Sequence, residues 1–446
     1  MLVQPERRSS LARPDGGAPW LGRSWTDMLN SDATCLPEAR SGAEPVMNGE
    51  TYGAEARVAP TSRRPKDRNV QIANNARELF ALRGFHAVRV DHIAEASGVT
   101  ARAVYRHYKN KQELLARIID EDQQRWIDAL DSISEVESDE ELARHLDYLA
   151  RVGIESRRLS VLWQREARHL DEDDFRTVRS RAVWISDNVA GRLIRPCHPG
   201  LGAFATDVRS WAVVSVLTSP AFYDSALSRS RLATVMATAC ERIIAAPTVE
   251  PVRRRQTPTV ENVPMARREQ LLAAAAAAFR RSGYAGVSID DIGADVGFAG
   301  PAIYRYFKTK SSILVALMER FAEWRALEVV RALRTSIDPA EVLSALISGY
   351  VRLGIEAVDL LAVALTEGHY LPDEDRERFE RINDDFVSEL RRWYSSVRPD
   401  VDPAAAQSLV SIAVTVVHDL VRIPHFLRSP DFESELDRVV HALFAD

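Results

Sequence analysis

The sequence predicts an all-α protein built from two tandem units, and three observations support this fold class. The segment Val90–Lys111 is repeated without a gap as Ile289–Lys310, 199 residues further along the chain. A second match, between Arg151–Glu155 and Arg352–Glu356, follows at an offset of 201 residues. Apolar residues recur at helical spacing through both units. A whole two-part unit has therefore been duplicated, and each copy can be interpreted against the other.

Composition and charge exclude several classes of function. The 446 residues carry a formal net charge of −6, so binding to a polyanion must depend on local basic patches. Cys35, Cys197 and Cys240 form no CxxC pair, which argues against a zinc site and indicates a reducing, cytoplasmic compartment. No apolar run approaches the roughly 20 residues of a membrane span. Without a phosphate loop or a nucleophile elbow, we predict no enzyme, no metal and no cofactor.

The first copy of the repeat begins with a short helix and a glycine turn. Val90, Ile93 and Ala94 form the apolar stripe of the helix. Gly98 follows and supplies the positive φ that ends a helix. Thr100 is a good N-cap for a second helix that begins at the next residue.

The second helix of the first copy is predicted to bury one face and expose another. Val104 and Tyr108 are four residues apart and share the inward face. The outward residues are Ala101, Arg102, Tyr105 and Arg106. Two short helices with a tight glycine turn, the second bearing arginine and tyrosine outward, are typical of a helix-turn-helix.

The second copy keeps this plan with a different outward surface. Ile303 and Phe307 are predicted to lie inward, and Gly300, Pro301, Tyr304 and Arg305 outward. Ser288 and Asp291 resemble a capping box for the preceding helix. Arg89 stands at the place of Ser288 in the first copy and cannot cap, so that helix start should be the weaker one.

Both copies closely resemble the DNA-binding domain of the tetracycline-repressor (TetR) family. In the first copy the resemblance rests on Ile-Ala, Gly-Val-Thr, Val-Tyr-Arg-His-Tyr, and a Lys-Asn-Lys turn into Glu-Leu-Leu; in the second it rests on Ala302–Lys310. It implies, in each unit, a three-helix DNA-binding domain followed by a helical effector and dimerisation domain. It also implies a double-stranded DNA operator and a small-molecule effector as partners.

The resemblance assigns DNA contacts to named positions. They are Thr100, Ala101, Arg102, Tyr105, Arg106, His107 and Lys111 in the first copy, and Gly300, Pro301, Tyr304, Arg305, Tyr306 and Lys310 in the second. Arg102 and Arg106 are the candidates for base edges. Tyr105, His107 and Lys111 match positions that contact the DNA backbone. Gly300 and Pro301 leave fewer groups to recognise bases, so the alternative of a purely structural module is stronger for the second copy.

The effector-domain candidates are a weaker set. They are Trp163, His169, Trp184 and Trp211 in the first unit, and Glu367, His369 and Tyr370 in the second. Aromatic residues at helical spacing are more commonly core residues than pocket residues. A metal site at His169 or His369 is disfavoured, since no second His or Cys lies nearby at ligand spacing.

The predicted domain boundaries follow from composition and the repeat. The predicted segments are a disordered tail (1–62), a first helix-turn-helix domain (63–117) and its effector domain (118–245), a Pro/Arg-rich linker (246–265), a second helix-turn-helix domain (266–317) and its effector domain (318–446). Basic clusters precede the first helix of both helix-turn-helix domains. They are Arg63, Arg64, Lys66 and Arg68 in the first unit, and Arg253, Arg254, Arg255, Arg267 and Arg268 in the second. They either reach phosphates or are simply solvated.

Two unlike helix-turn-helix copies in one chain predict a covalent pseudo-dimer. The predicted function is a ligand-responsive transcriptional repressor on an operator with unlike half-sites, the stricter one read by the first copy. One alternative is a homodimer of tandem chains on a symmetric site. Another is a scaffold, or a regulator in which only the first helix-turn-helix reads DNA.

Overall fold

A computed structural model describes residues 65–248, 266–298 and 300–445. The predicted tail, most of the predicted linker and the arginines at 63, 64 and 253–255 lie outside the described residues. Within the described part the chain forms helices and no strand, which confirms the all-α prediction.

The first unit comprises a three-helix domain and a larger helical body. Its helices are α1 (Pro65–Arg83), α2 (Val90–Ala96), α3 (Ala101–Tyr105), α4 (Lys111–Asp131), α5 (Asp139–Val161), α6 (Glu172–Val189), α7 (Ala203–Thr218) and α8 (Arg229–Ala245). Short π or 3-10 turns occupy Leu162–Glu166, Ala167–His169, Ala190–Ile194 and Ser219–Ala221.

The second unit follows the same order, with an additional break between α13 and α14. Its helices are α9 (Arg267–Ser282), α10 (Ile289–Asp295), α11 (Gly300–Ile303), α12 (Lys310–Ala332), α13 (Pro339–Glu356), α14 (Val358–Thr366), α15 (Asp373–Val397), α16 (Pro403–Leu420), α17 (Pro424–Leu427) and α18 (Phe432–Leu443). A 3-10 turn at Gly368–Tyr370 corresponds to Ala167–His169 of the first unit.

The helical bodies of the two units share one core. Helices α7 and α8 pack against α16 and α18, so a four-helix layer joins the units. Val208 and Val213 on α7 are fully buried, as are Val410 and Val416 on α16. The helix-turn-helix domain of the first unit is continuous with this core, whereas that of the second unit has a separate core around Phe279.

Helix α16 is the central element of the shared layer. It is 18 residues long and apolar enough, by length and composition, to cross a membrane. It is also 61% buried inside the protein, against α7, α8, α15 and α18. A core helix surrounded by other helices has the same composition, because it must be apolar on nearly every face.

Polar groups fix the register of the two units. Arg209 on α7 is fully buried, and its Nε donates to Oε1 of Glu435 on α18 at 3.0 Å. Arg209 Nη1 also donates to the carbonyl oxygen of Ile244 at 3.0 Å. Ser215 Oγ donates to Oδ2 of Asp419 at 2.7 Å. A buried ion pair of this kind specifies one alignment, because displacing Glu435 leaves the buried guanidinium of Arg209 without a carboxylate.

The close approach of α5 to α7 gives a stability prediction with a matched control. A Cβ at Gly153 would lie 2.0 Å from the carbonyl oxygen of Leu217, so Gly153→Ala should lower the free energy of unfolding by about 2–3 kcal/mol. At the repeat position, a Cβ at Gly354 would first meet Cγ1 of Val417, at 3.1 Å. Gly354→Ala should therefore lower the free energy of unfolding by less than about 1 kcal/mol, because the higher helix propensity of alanine offsets part of the steric cost. Chemical denaturation of the full chain measures the free energy of unfolding of both variants. Equal decreases for the two variants would contradict the prediction.

Candidate DNA-binding surface and inter-unit cavity

The turn of the first helix-turn-helix has the geometry that the sequence predicts. Gly98 has a φ of +62° and ends α2. The side chain of Thr100 caps α3 by accepting the N–H of Ala103 at 3.3 Å. Asn75 on α1 supports the turn from behind, because its Nδ2 donates to the Ala96 carbonyl oxygen at 3.0 Å. These contacts therefore fix the end of α2 and the start of α3.

The start of α2 differs between the copies, as predicted. In the second copy, Ser288 Oγ accepts the N–H of Asp291 at 3.1 Å, and Asp291 Oδ2 accepts the N–H of Ser288 at 2.9 Å. This confirms the capping box. In the first copy the Arg89 side chain caps no backbone N–H. Local support comes from His92, whose Nδ1 accepts the Arg89 N–H at 3.3 Å and whose Nε2 lies 3.3 Å from Arg89 Nη2.

Burial confirms the predicted inward faces and most of the predicted outward positions, while the exposure of Gly300 and Pro301 lies outside the described part of the structure. Val104 and Tyr108 are 2% and 8% exposed in the first copy, and Ile303 and Phe307 are 0% and 4% exposed in the second. Arg102, Tyr105, Arg106 and His107 are exposed, and so are Tyr304, Arg305 and Tyr306; Ala101 is half-buried. These exposed side chains lie on each recognition helix or in the turn directly after it, where they are available to base edges and phosphates.

Arginines at the start of α9 lie against the second recognition region. The guanidinium carbon of Arg267 is 5.0 Å from the centre of the Phe298 ring. That of Arg268 is 5.2 Å from the centre of the Phe307 ring. This part of the basic cluster therefore adds positive charge beside the second helix-turn-helix.

Lys111 and Lys310, both predicted phosphate contacts, hold a backbone turn in this structure. Lys111 Nζ donates to the carbonyl oxygens of Phe85 and Val88 at 2.7 and 2.9 Å. Lys310 Nζ repeats this with Tyr284 and Val287, at 2.7 and 2.8 Å. Burial lowers the pKa of both ammonium groups. Each lysine thus ties the α1–α2 turn, or its α9–α10 equivalent, to the following long helix.

A buried carboxylate attaches each helix-turn-helix to its own body. Glu166 Oε2 accepts the N–H of Phe85 at 3.1 Å, and Glu367 Oε2 accepts the N–H of Tyr284 at 3.0 Å. Both carboxylates are at most 1% exposed. The preceding glycines, Gly84 and Gly283, have φ values of +75° and +71°, a conformation that favours glycine.

The 3-10 turn of each unit contacts the helix-turn-helix domain of the other unit. A Cβ at Gly84 would lie 3.3 Å from Nε2 of His369, which belongs to the second unit. A Cβ at Gly283 would lie 3.5 Å from Nη1 of Arg168, which belongs to the first unit. Arg168 Nη1 also pairs with Oε1 of Glu367 at 2.5 Å. Each helix-turn-helix is therefore held by its own unit and contacted by the other.

The seven predicted effector residues do not form one pocket. His169 stacks on Phe85 with 5.2 Å between ring centres, and burial lowers its pKa to about 2. Tyr370 lies 4.9 Å from Tyr284 between ring centres. With Glu367 and His369, these side chains support the helix-turn-helix domains. Trp184 packs at the edge of the shared core.

Trp163 and Trp211 do line a cavity, of about 380 Å³, between the units. Its other walls come from α6, α7, α14, α16 and α17, and from Arg280 on α9. The charged groups on its walls are Arg168, Arg179, Asp187, Arg195, Asp207, Arg280, Asp419, Arg422 and His425. No spacing in the sequence indicates this set, because its members come from both units. Among the described residues, no group of three or more His, Cys, Asp or Glu side chains is placed to hold a metal ion.

Comparison with known proteins matches both helix-turn-helix segments. The family described as "Bacterial regulatory proteins, tetR family" matches residues 72–118 and 271–317. The chain is 32% identical over 84 residues to the HTH-type transcriptional activator FasR of Mycolicibacterium smegmatis, across 19% of this chain and 38% of that protein. It is 44% identical over 45 residues to the transposon Tn10 TetC protein of Escherichia coli, across 10% of this chain and 23% of that protein. The matched segments thus span well under half of either relative.

Among solved structures, a TetR-family transcriptional regulator from Bordetella parapertussis is similar at a TM-score of 0.37 and 22% identity, across 42% of this chain and 96% of that one. The regulator PfmR from Thermus thermophilus is similar at a TM-score of 0.34 and 22% identity, across 39% and 96%.

The fold and the paired recognition helices define a helix-turn-helix protein with two DNA-binding domains. The two family matches, at the same place in each copy of the repeat, make the assignment more specific. Residues 72–118 and 271–317 are thus two DNA-binding domains of the TetR family of bacterial regulatory proteins, arranged in tandem in one chain.

The lysine geometry predicts how DNA affinity responds to salt. Lys111→Met should weaken DNA binding by loosening the α1–α2 turn, with no change in the slope of log affinity against log salt concentration. A lysine that contacts phosphate would instead reduce that slope by about 0.9. Lys109→Met is the control for general loss of charge, since Lys109 is exposed in the same segment. Fluorescence anisotropy across a salt series measures the slope, and a reduction specific to Lys111→Met would contradict the structural role.

Proposed function

We propose that this protein is a ligand-responsive transcriptional repressor that acts in the cytoplasm as its own dimer. Each chain places two unlike recognition helices on one double-stranded operator with unlike half-sites. The observation that carries the proposal is the packing of α7 and α8 on α16 and α18 within one chain. That layer joins the two helical bodies to which the helix-turn-helix domains are attached.

The inter-unit ion pair favours an arrangement within one chain. When α7 and α16 are aligned on their first residues, Ala203 and Pro403, Leu409 stands where the first unit has Arg209. The buried contact between Arg209 and Glu435 therefore joins unlike units. A homodimer built from two first-unit surfaces lacks Glu435, so each buried guanidinium would lose its carboxylate.

The difference between the recognition helices supports an asymmetric operator. The first copy exposes Arg102, Arg106 and His107, and an arginine can make two hydrogen bonds to a guanine. The second copy has Gly300 and Pro301 at the positions of Ala101 and Arg102. It therefore offers fewer base-reading groups and should tolerate more sequence variation in its half-site.

Light scattering on a selected DNA site tests the covalent pseudo-dimer. One chain of about 50 kDa, matching the 49.9 kDa calculated mass, is expected per site. Footprinting should show two adjacent, unlike protected half-sites. Two chains on a perfect palindrome would contradict the proposal and support a dimer of tandem chains with up to four recognition helices.

Alanine substitutions separate this proposal from a regulator in which only the first copy reads DNA. Tyr304→Ala with Arg305→Ala should weaken binding by about tenfold or more, since both side chains are exposed in the turn directly after the recognition helix. Lys310 is left in place because it holds the turn. Arg102→Ala should weaken binding and relax selectivity at one position. Unchanged affinity for the Tyr304/Arg305 variant, measured by anisotropy, would support the alternative.

The sign of regulation rests on family resemblance, and one curated relative carries the name of an activator. A reporter gene placed behind the selected operator tests it directly. Lower reporter output in the presence of the protein supports repression, and higher output contradicts it.

A further inference from the structure

We propose that a second copy of this chain docks on an exposed apolar face of α12, so that two tandem chains pair through their second units. The face consists of Trp324, Leu327 and Val330 on the helix, Leu333 at its end and Ile337 in the turn that follows. We call it the α12 face. The pairing is independent of the function proposed above, and its consequence for DNA rests on that function.

The α12 face is exposed to solvent although its side chains are large and apolar. Trp324 is 40% exposed, Leu327 47% and Val330 43%. The opposite side of α12 is buried at Phe321 and Arg325, and the helix packs there on α13, α14 and α15. Single exposed apolar residues are ordinary on a protein surface. Several of them at helical spacing on one helix form a patch, which indicates an interaction site.

The first unit carries charged residues at the corresponding positions. At the offset of 199 residues, Arg125, Asp128 and Asp131 on α4 correspond to the first three residues of the α12 face. All three charged side chains are exposed. The fold of a unit therefore does not require apolar side chains at these positions. Their apolar character in the second unit indicates a contact made outside that unit.

The spacing along the α12 face suits an antiparallel pair of identical helices. Four positions form a seam at intervals of four, three and four residues, namely Glu323, Leu327, Val330 and Arg334. Two packed helices meet along positions with this spacing. The helical path reaches Arg334, because Leu333 has a φ of −63° and a ψ of −15°, and the Arg334 N–H donates to the Arg331 carbonyl oxygen at 3.1 Å. A two-fold axis midway between Leu327 and Val330 would place Leu327 of one copy against Val330 of the other.

The two charged ends of the seam make the α12 face complementary to itself. Glu323 and Arg334 are both exposed, and neither forms an ion pair within the described part of the chain. Glu323 lies near Arg320, which is already bonded to Glu269 at 2.6 Å. In the antiparallel pair each Glu323 would face Arg334 of the other copy, whereas a parallel pair would place like charges together. Charge therefore favours a second copy of this chain as the occupant, in the antiparallel orientation.

The antiparallel pair would hold the second helix-turn-helix domains of the two copies apart. Helix α12 begins at Lys310, directly after this domain. The midpoint of the seam lies about 18 residues further on, so at 1.5 Å per residue the starts of the two helices would be roughly 55 Å apart, at opposite ends of the pair. Two chains paired in this way would link two separate operators, each still bound by one chain.

Sedimentation equilibrium of the DNA-free full chain tests the pairing. The mass should rise from 49.9 kDa towards twice that value between about 1 and 200 μM, since a contact confined to one helix from each copy is small and weak. A triple variant with Trp324→Arg, Leu327→Asp and Val330→Asp introduces the residues of the first unit and should keep the mass of one chain. Leu82→Asp is the matched control and should pair like the native chain, because Leu82 is 80% exposed on α1, outside the α12 face.

Charge reversal tests the orientation of the pair. Glu323→Arg and Arg334→Glu should each weaken pairing by about fivefold, because each change replaces two exposed ion pairs with like-charge contacts. The double variant should recover the native affinity, since both ion pairs form again with their signs exchanged. A double variant that pairs more weakly than either single variant would overturn the antiparallel arrangement.

Three results would overturn the docking of a second copy. They are the mass of one chain at every concentration of the native protein, a dimer that the triple variant retains, and a dimer that Leu82→Asp loses equally. Far-UV circular dichroism checks that the triple variant keeps its helices. If the native chain stays monomeric while residues 324–333 of α12 are protected from hydrogen exchange, a segment of the same chain occupies the α12 face instead.

Capture of a second DNA duplex tests the link between operators. An immobilised operator duplex saturated with the native chain should retain a second, free operator duplex, and the triple variant should bind the first duplex without retaining the second. Equal retention by the triple variant would contradict the link through α12. Pairing of the chain without any selectable DNA site would count against the proposed function alone. Operator binding by a chain that stays monomeric at every concentration would count against this inference alone.

Discussion

Burial of α7 and α16 is the constraint on which the rest of the structure depends. Both helices are apolar on nearly every face, so neither can remain at the surface of its own unit. Each becomes a core helix only when the other unit covers it. The duplicated units therefore fold as one body, and the positions of the two DNA-binding domains follow from that packing. Arg209 and Glu435 then select one register, because a shift in register would leave the buried guanidinium of Arg209 without its carboxylate.

The attachment of the DNA-binding domains is chemically simple and repeated. A positive-φ glycine brings the next backbone N–H to a buried glutamate, while a lysine from the following helix holds the adjacent carbonyl groups. The units then differ in what surrounds this attachment. In the first unit the attachment lies beside His169 and His369. In the second unit the attaching Glu367 pairs with Arg168, which lines the cavity. The attachment itself is thus repeated in both units, while the contacts around it differ.

Sequence reasoning was most accurate where the physics is local. Gly98, Thr100 and the Ser288–Asp291 box act over three or four residues, so composition alone predicts their roles. The inward and outward faces of the recognition helices also followed from helical spacing. It was least informative for Lys111, Lys310 and Glu367, whose partners are far away along the chain. A lysine near a recognition helix suggests a contact with a DNA phosphate. Only the folded structure shows that its Nζ donates to backbone carbonyl oxygens.

By itself, the sequence determined that this protein is all-α, that its unit is duplicated, and that each copy carries a helix-turn-helix. These properties depend on helical periodicity, helix caps and the repeat, all of which can be recognised in the sequence without knowledge of long-range contacts. The tertiary structure decided how the units join and where a cavity forms between them. It drew Trp163 and Trp211 into a cavity with arginines from both units, and left His169, Glu367, His369 and Tyr370 to hold the DNA-binding domains. A cavity between two packed bodies depends on distances that no local pattern encodes.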